Sequence, residues 1–159
     1  MEIKQLIDED FVNYKKPSMF IGFPSCSFKC DHDCGKKICQ NSSLAKAKSF
    51  VVEPEQLVKR YLDNPISKSF VFGGLEPFDT WENLIALVSK IRNRTEDDIV
   101  IYTGYKKEEI EDKIEALRVY PNIIVKFGRF RPDQKQHMDH VLGINLASDN
   151  QYAEIISHQ

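Results

Sequence analysis

Beyond one short stretch the chain has no cysteine at all. Its four thiols, Cys26, Cys30, Cys34 and Cys39, fall within fourteen residues of a 159-residue sequence. That confinement excludes a disulfide framework, which spreads its bridges through a small secreted fold. Long apolar runs are also missing; none approaches the roughly 20 residues that cross a bilayer, so no membrane segment is expected. Met1-Glu2-Ile3-Lys4-Gln5 has no basic stretch leading into an apolar one, the mark of a secretory signal. Charge of one sign is not in excess: the formal net charge is −2, and no basic field is present to recruit nucleic acid. Repeats, low-complexity tracts and linkers are absent. What is there is 42% hydrophobic and 29% charged residues, the composition of one soluble domain over residues 1–159. The expected compartment is the reducing cytoplasm, where thiols stay free to bind metal.

The apolar pattern alternates strand and helix. Met19–Phe23 reads as a strand leading into a cysteine loop at residues 24–41. Glu53–Leu62 predicts a helix, with Pro54 in its first turn and Leu57, Val58, Tyr61 and Leu62 on one face. Ser69-Phe70-Val71-Phe72 is a β-prone run stopped by Gly73-Gly74. Asp79 and Glu82 have capping-box spacing and open a helix over Trp81–Arg92, with Trp81, Leu84, Ile85, Val88 and Ile91 facing inward. Asp98–Thr103 reads as a strand ended by Gly104. Helical spacing follows at Ile110, Ile114 and Leu117, and Ile123–Phe127 is a further strand closed by Gly128. Short final strands are expected near Leu142–Leu146 and Tyr152–Ile156. Strands separated by helices of about ten residues predict a mainly parallel sheet of βα units.

Three readings compete for the cysteines, two of them metal sites. Structural zinc uses two short pairs set a dozen or more residues apart, so that four ligands can close a tetrahedron. Here three, three and four residues separate successive cysteines in one continuous loop, and no second pair exists elsewhere. A disulfide conflicts with the compartment. An iron–sulfur cluster needs several soft thiolates converging from one loop, which this segment supplies. His32 lies among them, but thiolates suffice without it, and a solvated loop histidine is the simpler reading. His137, His140 and His158 show no pairing with the cysteines.

Other chemistry-bearing positions sit at strand ends. Gly73-Gly74 lets main chain approach a ligand with no Cβ in the way, although glycine pairs also serve as ordinary punctuation. Thr103 ends a strand on the side where open α/β folds bind ligands; a plain strand-end threonine explains it equally well. Lys126 and Arg129 frame a glycine, either to meet an anion or as solvated surface cations.

Together these residues resemble a known family. Cys26-Ser27-Phe28-Lys29-Cys30 has the Cx3C spacing that opens the cluster motif of radical S-adenosylmethionine (SAM) enzymes. Ile38-Cys39-Gln40-Asn41 is similar to the Cys-His-Asn of activating enzymes for anaerobic ribonucleotide reductase. Phe72-Gly73-Gly74-Leu75-Glu76-Pro77 resembles their Gly-Gly-Glu-Pro segment with one residue inserted. Tyr102-Thr103-Gly104-Tyr105 resembles their Thr-Gly-Tyr junction, and Lys126-Phe127-Gly128-Arg129-Phe130 their Asp-Gly-Arg-Phe. Leu146-Ala147-Ser148-Asp149-Asn150-Gln151 is similar to their terminal Ser-Ser-Asn-Gln.

The resemblance implies an open, shortened (β/α) barrel of the radical SAM type. It implies a [4Fe–4S] cluster on three thiolates, leaving one iron for the amino and carboxylate groups of SAM. The family places two residues between its second and third cysteines, whereas eight separate Cys30 from Cys39. Two ligand sets follow: Cys26, Cys30 and Cys39, which is preferred for the apolar neighbour and Gln-Asn continuation of Cys39, or Cys26, Cys30 and Cys34. By the same resemblance Gly73, Gly74, Glu76 and Pro77 meet the methionine end of SAM; Thr103 is then placed to meet its ribose or carboxylate, Lys126 its carboxylate or an acidic part of a partner, Ile38 its adenine or the core beneath the loop, and Asn41 is a further cofactor-binding position. The implied activity is activation of a glycyl-radical enzyme, anaerobic ribonucleoside-triphosphate reductase, fed by a low-potential electron donor such as flavodoxin. The alternatives are a radical SAM enzyme acting on a small molecule or another polypeptide, and a non-catalytic binding module stabilised by zinc or a cluster.

Overall fold

The computed structural model describes residues 1–25 and 48–158. The described chain runs β1 (Glu2–Ile3), β2 (Gln5–Asp10), β3 (Ser18–Phe23), β4 (Phe50–Val51), α1 (Pro54–Asp63), β5 (Ser69–Gly74), α2 (Trp81–Arg92), β6 (Asp98–Tyr102), α3 (Glu111–Leu117), β7 (Ile123–Phe127), β8 (His137–Asp139), β9 (Ile144–Leu146) and β10 (Tyr152–Ser157). Single 3-10 turns at Pro77–Thr80 and Lys107–Glu109 lead into α2 and α3.

Six strands form one mixed sheet in the order β10-β7-β6-β5-β3-β2. The inner four, β3, β5, β6 and β7, are parallel, and β2 and β10 close the edges antiparallel. β1 pairs with β4, and β8 with β9, as two-stranded ribbons.

Period-two alternation divides the sheet into two faces. Met19, Ile21 and Phe23, Phe70 and Phe72, Ile99 and Ile101, and Ile123, Val125 and Phe127 pack in one cluster with Leu57, Val58 and Tyr61 of α1, Leu84, Leu87, Val88 and Ile91 of α2, and Ile114 and Leu117 of α3. The intervening Phe20, Val71, Val100 and Ile124 form a second cluster with Tyr14, Leu142, Leu146 and Ala153. All three described helices therefore cover one face, and the β8–β9 region covers the other.

The end of the sheet where the parallel strands begin is held by polar pairs. The Ser18 and Ser69 hydroxyls lie 2.7 Å apart, Tyr14 Oη donates to Asp98 at 2.7 Å, and Tyr61 Oη donates to Asp97. Tyr61 also stacks on Phe70 with ring centroids 3.9 Å apart.

Several elements depart from the pattern. β2, Gln-Leu-Ile-Asp-Glu-Asp, is an edge strand too acidic to show strand periodicity, and the three-residue β8 is too short. The Asp79–Glu82 capping box does not form: Asp79 lies inside the 3-10 turn, and Thr80 precedes α2 without a side-chain cap. Leu62 is exposed, whereas Leu87, missed by the spacing, is buried. The strand expected at Leu142–Leu146 starts only at Ile144, because Leu142 N–H donates to the Asp139 carboxylate in a turn through Gly143.

At the far end of the parallel strands β3 and β5 approach closely. Gly74 has φ +78°, and a Cβ there would stand 2.6 Å from Gly22 Cα. Main chain cannot yield as a flexible side chain would. Gly74→Ala should lower stability by about 2–3 kcal/mol, measured as a shift in urea midpoint at unchanged slope.

Candidate functional site

Where the parallel strands end, a cleft of about 460 Å³ opens on the face away from the helices. One level of the sheet makes its floor. Gln5 pairs with Gly22, Gly22 with Gly73, and Tyr102 with Lys126, with Gly73 and Tyr102 each one step beyond the pair Phe72–Ile101. Loops after β5, β6 and β7 and the segment before β10 form the walls, among them Glu76, Thr103, Gly104, Gly128, Arg129 and Gln151.

Of the positions singled out in the sequence, Gly73, Gly74, Glu76, Thr103 and Lys126 all line this cleft. Pro77 does not; it is buried at the start of its 3-10 turn. Cys26, Cys30, Cys34 and Cys39, with Ile38 and Asn41, lie outside the described residues. Ser25, which precedes Cys26, is held at the cleft's rim: its carbonyl accepts from Glu76 N–H at 2.6 Å. Among the described residues no group of His, Cys, Asp and Glu has the arrangement of a metal site.

Glu76 is buried, at 5% exposure, and joins two loops. Its Oε1 accepts from Thr103 Oγ1 at 3.0 Å and from Gly104 N–H at 2.7 Å, and its Oε2 accepts from Phe78 N–H at 3.1 Å. Desolvation pushes its carboxyl up to about 7, against the opposing pull of these donors. Thr103 is thus more than a strand-end residue: its hydroxyl is committed to Glu76 and also accepts from Tyr105 N–H.

Solvated surface cations are ruled out for the next pair. Lys126 is 6% exposed, donates from Nζ to the Gly128 carbonyl at 3.1 Å, and sits 5.4 Å from the centroid of the Tyr102 ring. Arg129 has a side chain 10% exposed, pairs with Glu109 at 3.0 Å, and lies over Tyr105. Burial also raises the Tyr102 phenol well above its usual range, with Asp10 and Asp139 adding to the effect, and its hydroxyl donates to Asn13 O at 2.7 Å. Among described residues the ionisable lining is therefore two cations, one tyrosine and one carboxyl drawn toward neutrality, a setting that favours an anionic ligand group.

The tail motif, to which the sequence assigned no role, braces the far wall. Gln151 Nε2 donates to Gly128 O at 3.2 Å, the same oxygen that Lys126 engages, and Asn150 Nδ2 donates to Arg129 O at 2.8 Å. Gly128 needs its φ of +106° here, where a Cβ would crowd Asn150 and Gln151. Tyr102, Gln5 and Gln151 were missed as lining residues. Strand alternation from Val100 would have placed Tyr102 on the cleft side; nothing local marks the other two.

Among known families, the model for a 4Fe-4S single cluster domain matches residues 19–152, from β3 to the first residue of β10. The chain belongs to the 4Fe-4S single cluster domain family. No curated protein and no solved structure matches it. As a member of this family it is an iron–sulfur protein. Its own residues fit such a cluster, since four soft thiolates fall in the fourteen residues after Ser25, whose carbonyl accepts from the cleft residue Glu76. No described helix is long and apolar enough to cross a membrane.

Two outcomes follow. Anaerobic reconstitution with iron and sulfide should load about four irons per chain, measured by metal and acid-labile sulfide analysis. Separately, the folded carboxyl of Glu76 titrates near 7 rather than at its ordinary 4.5, so the native state binds its proton more tightly than the unfolded chain. Its contribution to stability is then full below the unfolded value and is lost as pH rises through the folded one. Glu76→Gln should flatten the fall in thermal midpoint across that window.

Proposed function

We propose that the chain is a radical SAM enzyme that generates a glycyl radical on a partner, anaerobic ribonucleoside-triphosphate reductase. One observation carries this reading. In a member of a 4Fe–4S family, a single polar cleft beside the residue preceding the cysteines is lined by Gly73-Gly74-Leu75-Glu76, Thr103-Gly104, Lys126, Gly128-Arg129-Phe130 and Gln151, the segments that resemble the radical SAM activases. On this reading the mixed sheet with helices on one face is the open, shortened barrel of that family.

Cys26, Cys30 and Cys39 would hold the cluster, with Cys34 outside the ligand set. Bound there and reduced by a low-potential donor such as flavodoxin, such a cluster would supply one electron for cleaving the sulfur–C5′ bond of SAM, and the resulting deoxyadenosyl radical would take a hydrogen atom from a glycine Cα. The chain's residues bind and orient. The Lys126 ammonium, desolvated and aimed by Gly128 O, would meet the SAM carboxylate. Gly73 and Gly74 expose main chain to its methionine end, beside the turn shaped by Glu76 and Pro77, and Thr103 bounds the site on the β6 side. Phe130, Ile144 and Leu146 keep water from the opposite wall. A glycine carried on a polypeptide enters where the cleft opens to solvent.

The test is anaerobic reconstitution followed by SAM and a strong reductant. Release of 5′-deoxyadenosine is expected, lost in Cys39→Ser and kept in Cys34→Ser, with an organic radical signal appearing once the reductase is added. Full iron loading with no nucleoside product would sink the proposal.

A further inference from the structure

We propose that Glu76 is a positioning residue: its carboxylate ties the loop after β5 to the loop after β6 and steadies the entry of the cysteine segment, without itself binding the cleft's ligand. A carboxylate offers about four acceptor directions. Three are taken, by Phe78 N–H, Thr103 Oγ1 and Gly104 N–H. Two of these donors are main chain and the third is a buried threonine at a strand end, so they hold the carboxylate in place rather than follow it. The main chain of Glu76 completes the tie, because its N–H donates to Ser25 O one residue before Cys26. One residue thus links β3's exit, β5's exit and β6's exit on the side of the cleft where Ser25 lies.

The tie has a chemical requirement. All three partners donate, and each bond is strongest to the ionised carboxylate; protonation removes the charge and weakens all three. Glutamine has one acceptor oxygen and turns an NH₂ toward donors. Among the described residues, the charged and titratable groups around Glu76 are Asp79 in its own turn, which accepts from Tyr105 of the β6 loop, and Lys126 and Arg129 lining the same cleft from the end of β7. Since burial raises the carboxyl to about 7, acidification through that range loosens the tie.

The protein carries its own reporter. Trp81, the only tryptophan, stacks on Phe78 with ring centroids 6.0 Å apart and planes 10° from parallel, and Phe78 N–H is one of the three donors. Trp81 fluorescence of the full-length, cluster-loaded protein, followed against pH, should show a transition near about 7. Glu76→Gln should abolish it. Thr103→Val removes a donor that favours the ionised form and should move the midpoint upward. A transition that persists in Glu76→Gln, or a midpoint unmoved by Thr103→Val, overturns the proposal.

A second arm, which rests on the radical SAM reading, uses SAM itself in calorimetric titration. Each single variant should weaken binding about tenfold, as expected for one lost hydrogen bond to a charged acceptor, and the double variant should be no weaker than the worse single one. Additive losses would instead make Glu76 a direct ligand and overturn the positioning role. Absence of SAM binding in the parent protein would defeat the radical reading alone, since the fluorescence arm decides the tie without SAM.

Discussion

The close approach of β3 and β5 at Gly22 and Gly74 fixes the level on which everything above the sheet is built. Two main chains meet there with no side chain between them, and the in-register parallel pairing of β3, β5 and β6 carries that level sideways. Tyr102 and Lys126 are delivered to the same height on neighbouring strands. The loops that follow start from a common plane, which is why short polar side chains such as Thr103 and Glu76 can reach one another.

Electrostatics inside the cleft are governed by desolvation more than by pairing. Lys126 keeps its ammonium over an aromatic ring and against a carbonyl, Arg129 is held between Glu109 and Tyr105, and Glu76 balances three donors against burial. None of these groups is free to rearrange cheaply: Lys126 is held by Gly128 O, Arg129 by the Glu109 carboxylate, and Glu76 by Thr103 and the main-chain N–H groups of Phe78 and Gly104. Such a site is organised before any ligand arrives.

Strongly periodic elements were legible in the sequence. The strands at Ser69–Phe72 and Ile123–Phe127 and the helices at Pro54–Asp63 and Trp81–Arg92 follow from apolar spacing, since each buries one face in the same core. β2 was not legible: an edge strand needs little apolar alternation, and Asp8 and Glu9 find partners in Arg60 and Asn64 across the chain. The gathering of Gly73, Gly74, Glu76, Thr103 and Lys126 at one cleft could be expected from motifs at strand ends, yet the side-chain logic could not. Lys126 reads as a surface cation until its strand is known to be covered, and the Glu76–Thr103 bond spans 27 positions that only parallel crossover brings together. The bracing by Asn150 and Gln151 depends in the same way on β10 returning beside β7.

The two ends of the sheet have separate duties. Where the inner strands begin, tyrosine–carboxylate and serine pairs such as Tyr14–Asp98 and Ser18–Ser69 hold the framework, away from the cleft that Glu76 and Lys126 line. Where they finish, polar residues are committed to shape. Such a chain can accumulate changes of chemistry at one rim while its ability to fold is guarded at the other, a separation that makes the architecture evolvable.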